Sequence, residues 1–183
     1  INDVTLSGTT INLGGNINTD NDGVDVGDVD INGNVALAGA VTIDTSAGDG
    51  TVNISGTVDN AQAFAINSGA GAVVITGGIG LTTALTSLDI NQGGGAGTIT
   101  IDDIGDAGVG VTAATRIGNA ATTNITLGGT VYRTTGAQTY VAVAGNTIDL
   151  TSGAATSFIT TNTAINFTTG TIELSDGNDL TVD

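Results

Sequence analysis

A seven-residue pattern, apolar-x-apolar-x-Gly-x-apolar, returns along the whole of this 183-residue chain. It reads Ile11-Asn-Leu-Gly-Gly-Asn-Ile17, Val29-Asp-Ile-Asn-Gly-Asn-Val35, Val35-Ala-Leu-Ala-Gly-Ala-Val41, Val52-Asn-Ile-Ser-Gly-Thr-Val58, Val73-Val-Ile-Thr-Gly-Gly-Ile79 and Ile125-Thr-Leu-Gly-Gly-Thr-Val131. Each apolar-x-apolar triplet has the period of a strand, and the Gly stands where a chain turns a corner. The spacing constrains the fold more than the motif does. Triplets begin at Val4, Val29, Val52, Val73, Ile99, Ile125, Ile148 and Ile172. The steps between them vary by a few positions and average roughly 24 residues, within the range of structural repeats. A second series begins at Ile17, Val41, Phe64 and Leu88, is unclear between Val109 and Ile117, and resumes at Val141 and Ile165 with the same period.

A repeat of this length built only of strand and turn sequence fits one coil of a parallel β-helix. A single coil cannot bury its apolar face, whereas stacked coils bury a continuous column. The expected fold is therefore all-β: a parallel β-helix, or β-solenoid, of about eight coils of roughly 24 residues. Residues 1–183 are expected to form a single solenoid segment. Its interior should be Val4, Val29, Val52, Val73, Ile99, Ile125, Ile148 and Ile172, with their partners Leu6, Ile31, Ile54, Ile75, Ile101, Leu127, Leu150 and Leu174. The residues between them, Thr5, Asp30, Asn53, Val74, Thr100, Thr126, Asp149 and Glu173, should face solvent. All but Val74 are polar, as alternation requires. A β-sandwich also has frequent short strands, but it gives no reason for one subpattern to return at so constant a spacing. The Gly-rich stretches Gly93–Gly97 and Gly105–Gly108 read as corners or small outward loops, and Ala107–Thr122 as the most irregular coil.

Composition narrows function mainly by exclusion. The chain has no His, Cys, Met, Trp, Pro or Lys, and its two cations are Arg116 and Arg133. It therefore has no imidazole base, thiol nucleophile, Schiff-base lysine or ordinary zinc site. Two arginines are too few to hold a nucleic-acid backbone, so no nucleic-acid partner is expected. No apolar run approaches the ~20 residues of a membrane-spanning helix, so no membrane insertion is expected. Val, Ile and Thr are abundant while helix formers are scarce, which agrees with an all-β chain. Five aromatics, thinly spread, leave a core of small aliphatic side chains in thin layers.

The stretch from Val35 through Ala-Leu-Ala-Gly-Ala-Val-Thr-Ile-Asp-Thr-Ser-Ala-Gly-Asp-Gly-Thr-Val-Asn-Ile-Ser-Gly-Thr-Val to Asp59 resembles the repeats of giant bacterial surface proteins of the filamentous-haemagglutinin-like type, with β-strand repeats. Tyr132-Arg-Thr-Thr-Gly-Ala-Gln-Thr-Tyr140 carries the same resemblance. It covers most of the chain and is clearest at residues 10–91 and 122–147. It implies a right-handed parallel β-helix that is secreted or held at the cell surface and acts in adhesion, aggregation and biofilm. It brings no catalytic residue with it.

Several chemistries could sit on such a rod. Asp20, Asp22 and Asp25 alternate before and after Gly23, with Asp28 and Asp30 just beyond, and oxygen ligands so spaced around a permissive Gly can wrap Ca2+. The distal Glu of an EF-hand is missing, and a solvated acidic loop explains the same residues. Asp102, Asp103 and Asp106 form a second carboxylate cluster of the kind an Asp-based polysaccharide-active enzyme uses. Such an enzyme also needs a cleft with aromatic and basic residues, so no enzyme activity is expected. Asn53, Asn124 and Asn166 open Asn-x-Ser/Thr acceptor sequences, close to the number that chance gives in a chain this rich in Asn and Thr.

The repeat runs from Val4-Thr-Leu6 to Leu180-Thr-Val182 with no capping helix, which predicts uncapped ends and either a longer parent chain or head-to-tail stacking of copies. The expectation is an extracellular structural and adhesive protein forming a fibre, stalk or surface layer. Its expected partners are other copies of itself and, through its polar faces, host or matrix glycans. A calcium- or glycan-binding solenoid module is the alternative. No cofactor is expected apart from Ca2+.

Overall fold

The computed structural model describes residues 3–19, 26–168, 170–174 and 179–183. They contain nineteen strands and no helix. The chain is an all-β parallel solenoid. Its coils present three faces, and each face is a column of strands from successive coils hydrogen-bonded in parallel.

The first face is the triplet series read from the sequence. Val4, Val29, Val52, Val73, Ile99, Ile125, Ile148 and Ile172 pair in register through eight rungs, which enclose seven complete turns. Their i+2 partners from Leu6 to Leu174 pair in the same way. From Val29 to Leu150 the inward residues of this face are buried, while the intervening column from Asp30 to Asp149 is half-exposed. A period of two with one face inward excludes a one-residue slip of these strands, which would turn their apolar side chains outward.

The second face corrects the other series at three points. Ile17 pairs with Ile43, two residues beyond the expected Val41, although the corners Leu13–Ile17 and Leu37–Val41 are equally long. The unclear member between Val109 and Ile117 is Thr115, which pairs with both Leu88 and Gln138. Val141 points outward, and the inward residue of its coil is Gln138, paired with Ile165. In both of these later coils a polar residue occupies the inward position, so hydropathy alone passes over it. The irregular-looking coil around Ala107–Thr122 stays on the common template through the bridge at Val111 and the strand Thr115–Ile117.

The motifs opening at Val29, Val52 and Val73 carry their last apolar residue, Val35, Val58 and Ile79, onto the third face. Ile11, Val35, Val58, Ile79, Ile104, Tyr132, Phe158 and Val182 form one column. The step from the first face to this one varies. It is four residues from Ile75 to Ile79, three from Ile101 to Ile104 and five from Leu127 to Tyr132.

The interior departs from a uniform aliphatic core. Four of the five aromatics converge in the later coils instead of lying spread along the chain. Tyr132 stacks on Phe158 at 4.9 Å and Tyr140 on Phe167 at 5.2 Å, each pair joining successive coils. The two stacks meet edge to face, with Tyr140–Phe158 at 5.4 Å and Phe158–Phe167 at 5.0 Å. Such contacts add about 0.5–1.5 kcal/mol each beyond area burial.

Corners approach one another closely. A Cβ at Gly71 would run into the carbonyl of Gly50 in the preceding coil, and one at Gly56 into the backbone of Gly33. Only hydrogen fits where backbone lies directly on backbone. Gly71→Ala should therefore cost on the order of 3 kcal/mol in a urea melt or prevent folding, whereas Gly108→Ala, with open space around it, should change stability by less than about 0.5 kcal/mol.

Candidate functional site

The chemistry of this solenoid lies at its corners and on the outward columns of its faces. A strand interior satisfies its own amides through the ladder, whereas corner amides fall outside it and need other acceptors, some of them backbone carbonyls. Short Asp and Asn side chains solve this between coils. Asp28 Oδ1 accepts from Thr51 N at 2.7 Å, Asn34 Oδ1 from Thr57 N at 3.1 Å and Asp49 Oδ1 from Ala70 N at 2.6 Å. Asp59 Oδ1 accepts from Thr82 N at 2.8 Å and Thr83 N at 3.2 Å, and Asp103 Oδ1 from Thr130 N at 2.6 Å and Val131 N at 2.8 Å. In each case the acceptor belongs to one coil and the amide to the next.

The calcium candidates Asp20, Asp22 and Asp25 lie outside the described residues. Their described neighbours are engaged: Asp28 caps Thr51, and Asp30 Oδ1 accepts from Asn53 Nδ2 at 3.4 Å. Among the described residues no group of three or more acidic side chains is arranged to hold a metal ion.

The Asp102–Asp106 cluster does not form one constellation. Asp103 is turned to the corner amides of the next coil, and the Thr130 hydroxyl also approaches it at 3.5 Å. Asp106 is exposed, with its backbone N–H on the Gly108 carbonyl. Asp102 lines a small hollow with Ile75, Thr76, Thr100 and Gly128. Desolvation raises the Asp102 carboxyl above its ordinary value, and the neighbouring charge of Asp103 raises it further.

The three acceptor asparagines differ in environment. Asn53 is half-buried in mid-strand and bonded to Asp30, and Asn124 Oδ1 accepts from Thr147 N at 3.5 Å. Asn166 is exposed on the strand Ile165–Thr168. Arg116 extends along the second face to Asp89, the residue in register with it on the preceding coil, at 3.2 Å. That pair is largely solvated and contributes little to stability. A polar furrow crosses successive coils between Asp44, Ser46, Asn67 and Gly93–Gly95.

The corner acceptors escape a reading of the sequence alone. Their signal is an Asp or Asn one coil length before a Thr, Val or Ala that opens the corresponding strand or corner, and it is visible only once coil length is known.

Compared with protein-family models, with curated proteins and with solved structures, the chain matches none.

Asp103→Ala should cost about 2 kcal/mol by chemical denaturation, because two corner amides lose their acceptor, and Asp103→Asn, which keeps a carbonyl oxygen there, should cost less than half as much. Asp102→Asn should raise stability at neutral pH. The ionised carboxylate is disfavoured in the folded chain, so its cost grows as pH rises above the ordinary value of 3.8 and is complete above the raised folded value. Parallel melts of the two chains should converge below that ordinary value and separate above it.

Proposed function

We propose that this chain is an extracellular structural and adhesive protein, a segment of a fibre, stalk or surface layer of the filamentous-haemagglutinin-like kind. The observation that carries this reading is the unbroken register of the first face through eight rungs. The chain spends its sequence on making length: the side chains inside hold coil to coil, and among the described residues those outside are mainly Thr, Asn and Asp. The resemblance of residues 35–59 and 132–140 to β-strand-repeat surface proteins points the same way.

The partners in this reading are further coils of the same kind. The strand Thr171–Leu174 pairs on one side with Thr147–Leu150 and presents Ile172 and Leu174 at the open side. A longer parent chain or a second copy would continue the ladder there, and host or matrix glycans would meet the polar faces. Electron microscopy and fibre diffraction of the purified chain test this. Elongated particles or filaments with an axial repeat of about 4.8 Å are expected, and compact globular particles lacking that repeat would overturn it.

A calcium- or glycan-binding module is the second reading, favoured by the furrow at Asp44, Ser46 and Asn67. Against its glycan form, four of the five rings, Phe64, Tyr132, Tyr140 and Phe158, are buried, and Phe167 packs on Tyr140, which leaves little aromatic surface for a sugar to stack on. Its calcium form predicts a melting temperature that rises with added Ca2+ and falls on chelation; an unchanged melting temperature would remove it.

A further inference from the structure

Aliphatic columns bury well but discriminate poorly between registers. Val, Ile and Leu, which fill most inward positions, are nearly interchangeable, so a strand of them shifted by two residues still presents an apolar side chain inward. The structure contains such a shift. Ile17 lies on Ile43, although Val41, two residues earlier, is also buried and is the residue that Phe64 stacks on. Corner length does not set the register either, because the step from first to third face varies from coil to coil.

One polar inward position makes hydrogen bonds in three directions. Gln138 is fully buried between Thr115 and Ile165 in the second-face column. Its Nε2 donates to the carbonyls of Tyr132 at 2.8 Å and Ile159 at 3.0 Å, on the third-face strands of two successive coils. Its Oε1 accepts from the Tyr140 hydroxyl at 2.9 Å. Tyr140 in turn stacks on Phe167, and Tyr132 on Phe158. A two-residue slip of the strand Gln138–Val141 would carry the amide about 6.6 Å along its face. It would leave the amide buried without these partners, a loss that no aliphatic exchange incurs.

We propose that Gln138, with the aromatic set Tyr132, Tyr140, Phe158 and Phe167, is a register lock. It fixes which residues of these coils stack on one another, and the degenerate aliphatic columns on either side take their register from it. The proposal concerns the fold itself and stands independently of the adhesive reading.

The chain has no cysteine, so introduced pairs report register cleanly. Arg116 and Thr139 are in-register outward neighbours, and Val141 is the outward residue two positions on. In an Arg116→Cys, Thr139→Cys chain the short thiol cross-linker dibromobimane should join the pair. In an Arg116→Cys, Val141→Cys chain it should not. Adding Gln138→Leu should lower the in-register yield at least about twofold and make the slipped pair reactive, while strand content by circular dichroism is retained. Thr115→Val, a change in the same column that removes a buried hydroxyl with no hydrogen-bond partner, should leave the in-register yield unchanged.

Full in-register yield with no slipped product in the Gln138→Leu chain would overturn the lock. Tyr140→Phe keeps the ring and removes one of the three bonds to the amide, so it should lower the melting temperature and raise the slipped product. A Tyr140→Phe chain identical to its parent in both measurements would overturn the proposal too, whatever the fate of Gln138→Leu.

Discussion

Everything in this molecule follows from the requirement that each coil satisfy the backbone of the next. Parallel strands with one partner above and one below direct their amides along the stacking axis, so an amide at a corner points at the neighbouring coil. Ladder bonds serve the strand interiors, and Asp and Asn side chains serve the corners. This accounts for a composition that is otherwise odd. Of the eighteen acidic residues only Glu173 is a glutamate. A carboxylate one methylene from the backbone reaches an amide in the adjacent coil and holds it with little conformational loss, whereas the longer Glu side chain has more rotamer freedom to surrender. Absence of proline fits the same rule, since each proline would remove a donor that the neighbouring coil expects.

The same stacking decides which positions tolerate variation. Where backbone meets backbone, as at Gly50 and Gly71, no side chain fits. Where side chain meets side chain in the interior, any aliphatic of similar size serves. Corners outside these contacts absorb length, so coils of unequal length share one template. A solenoid can thus hold its register on one face while the path between faces varies, provided some inward residue is particular about its neighbours. Gln138 and the stacked aromatics supply that particularity in the later coils.

This division also explains how much of the fold is legible in the sequence. The first face is legible because its inward residues, from Val29 to Leu150, are all aliphatic and alternate with polar ones, with Val74 the single exception. The second face is legible only where it too is aliphatic. At Thr115 and Gln138 the interior is polar, and at Gln138 the reason lies in hydrogen bonds to Tyr132, Ile159 and Tyr140 that no local pattern encodes. The aromatics look dispersed because Tyr132 and Phe158 stand a full coil apart in the chain, and stacking is what brings such residues together. Asp20, Asp22 and Asp25, the candidate calcium ligands, lie outside the described residues. Asp28, Asp49, Asp59 and Asp103 accept from amides, a role that depends on residues one coil later and so has no local signal.

A formal charge of −16 on a column of coils raises the question of self-repulsion, since residues in register lie only about 4.8 Å apart. The outward column of the first face largely avoids it. Asp30 lies between Thr5 and Asn53, and only Asp149 and Glu173 stack carboxylate on carboxylate. On the second face Asp89 sits between Ala65 and Arg116, and Asp44 between Asn18 and Asn67. These carboxylates are thereby placed beside neutral polar groups, a guanidinium or backbone donors along the shaft. Between shafts no such arrangement exists, because Arg116 is already directed at Asp89 and Arg133 is the only other cation. Side-by-side contact of two such surfaces is opposed over a screening distance of about 10 Å at 0.1 M salt, whereas in the proposed fibre extension along the axis would meet strand amides, carbonyls and aliphatic side chains. In the proposed fibre the electrostatics and the hydrogen bonding would both favour growth in length over growth in width.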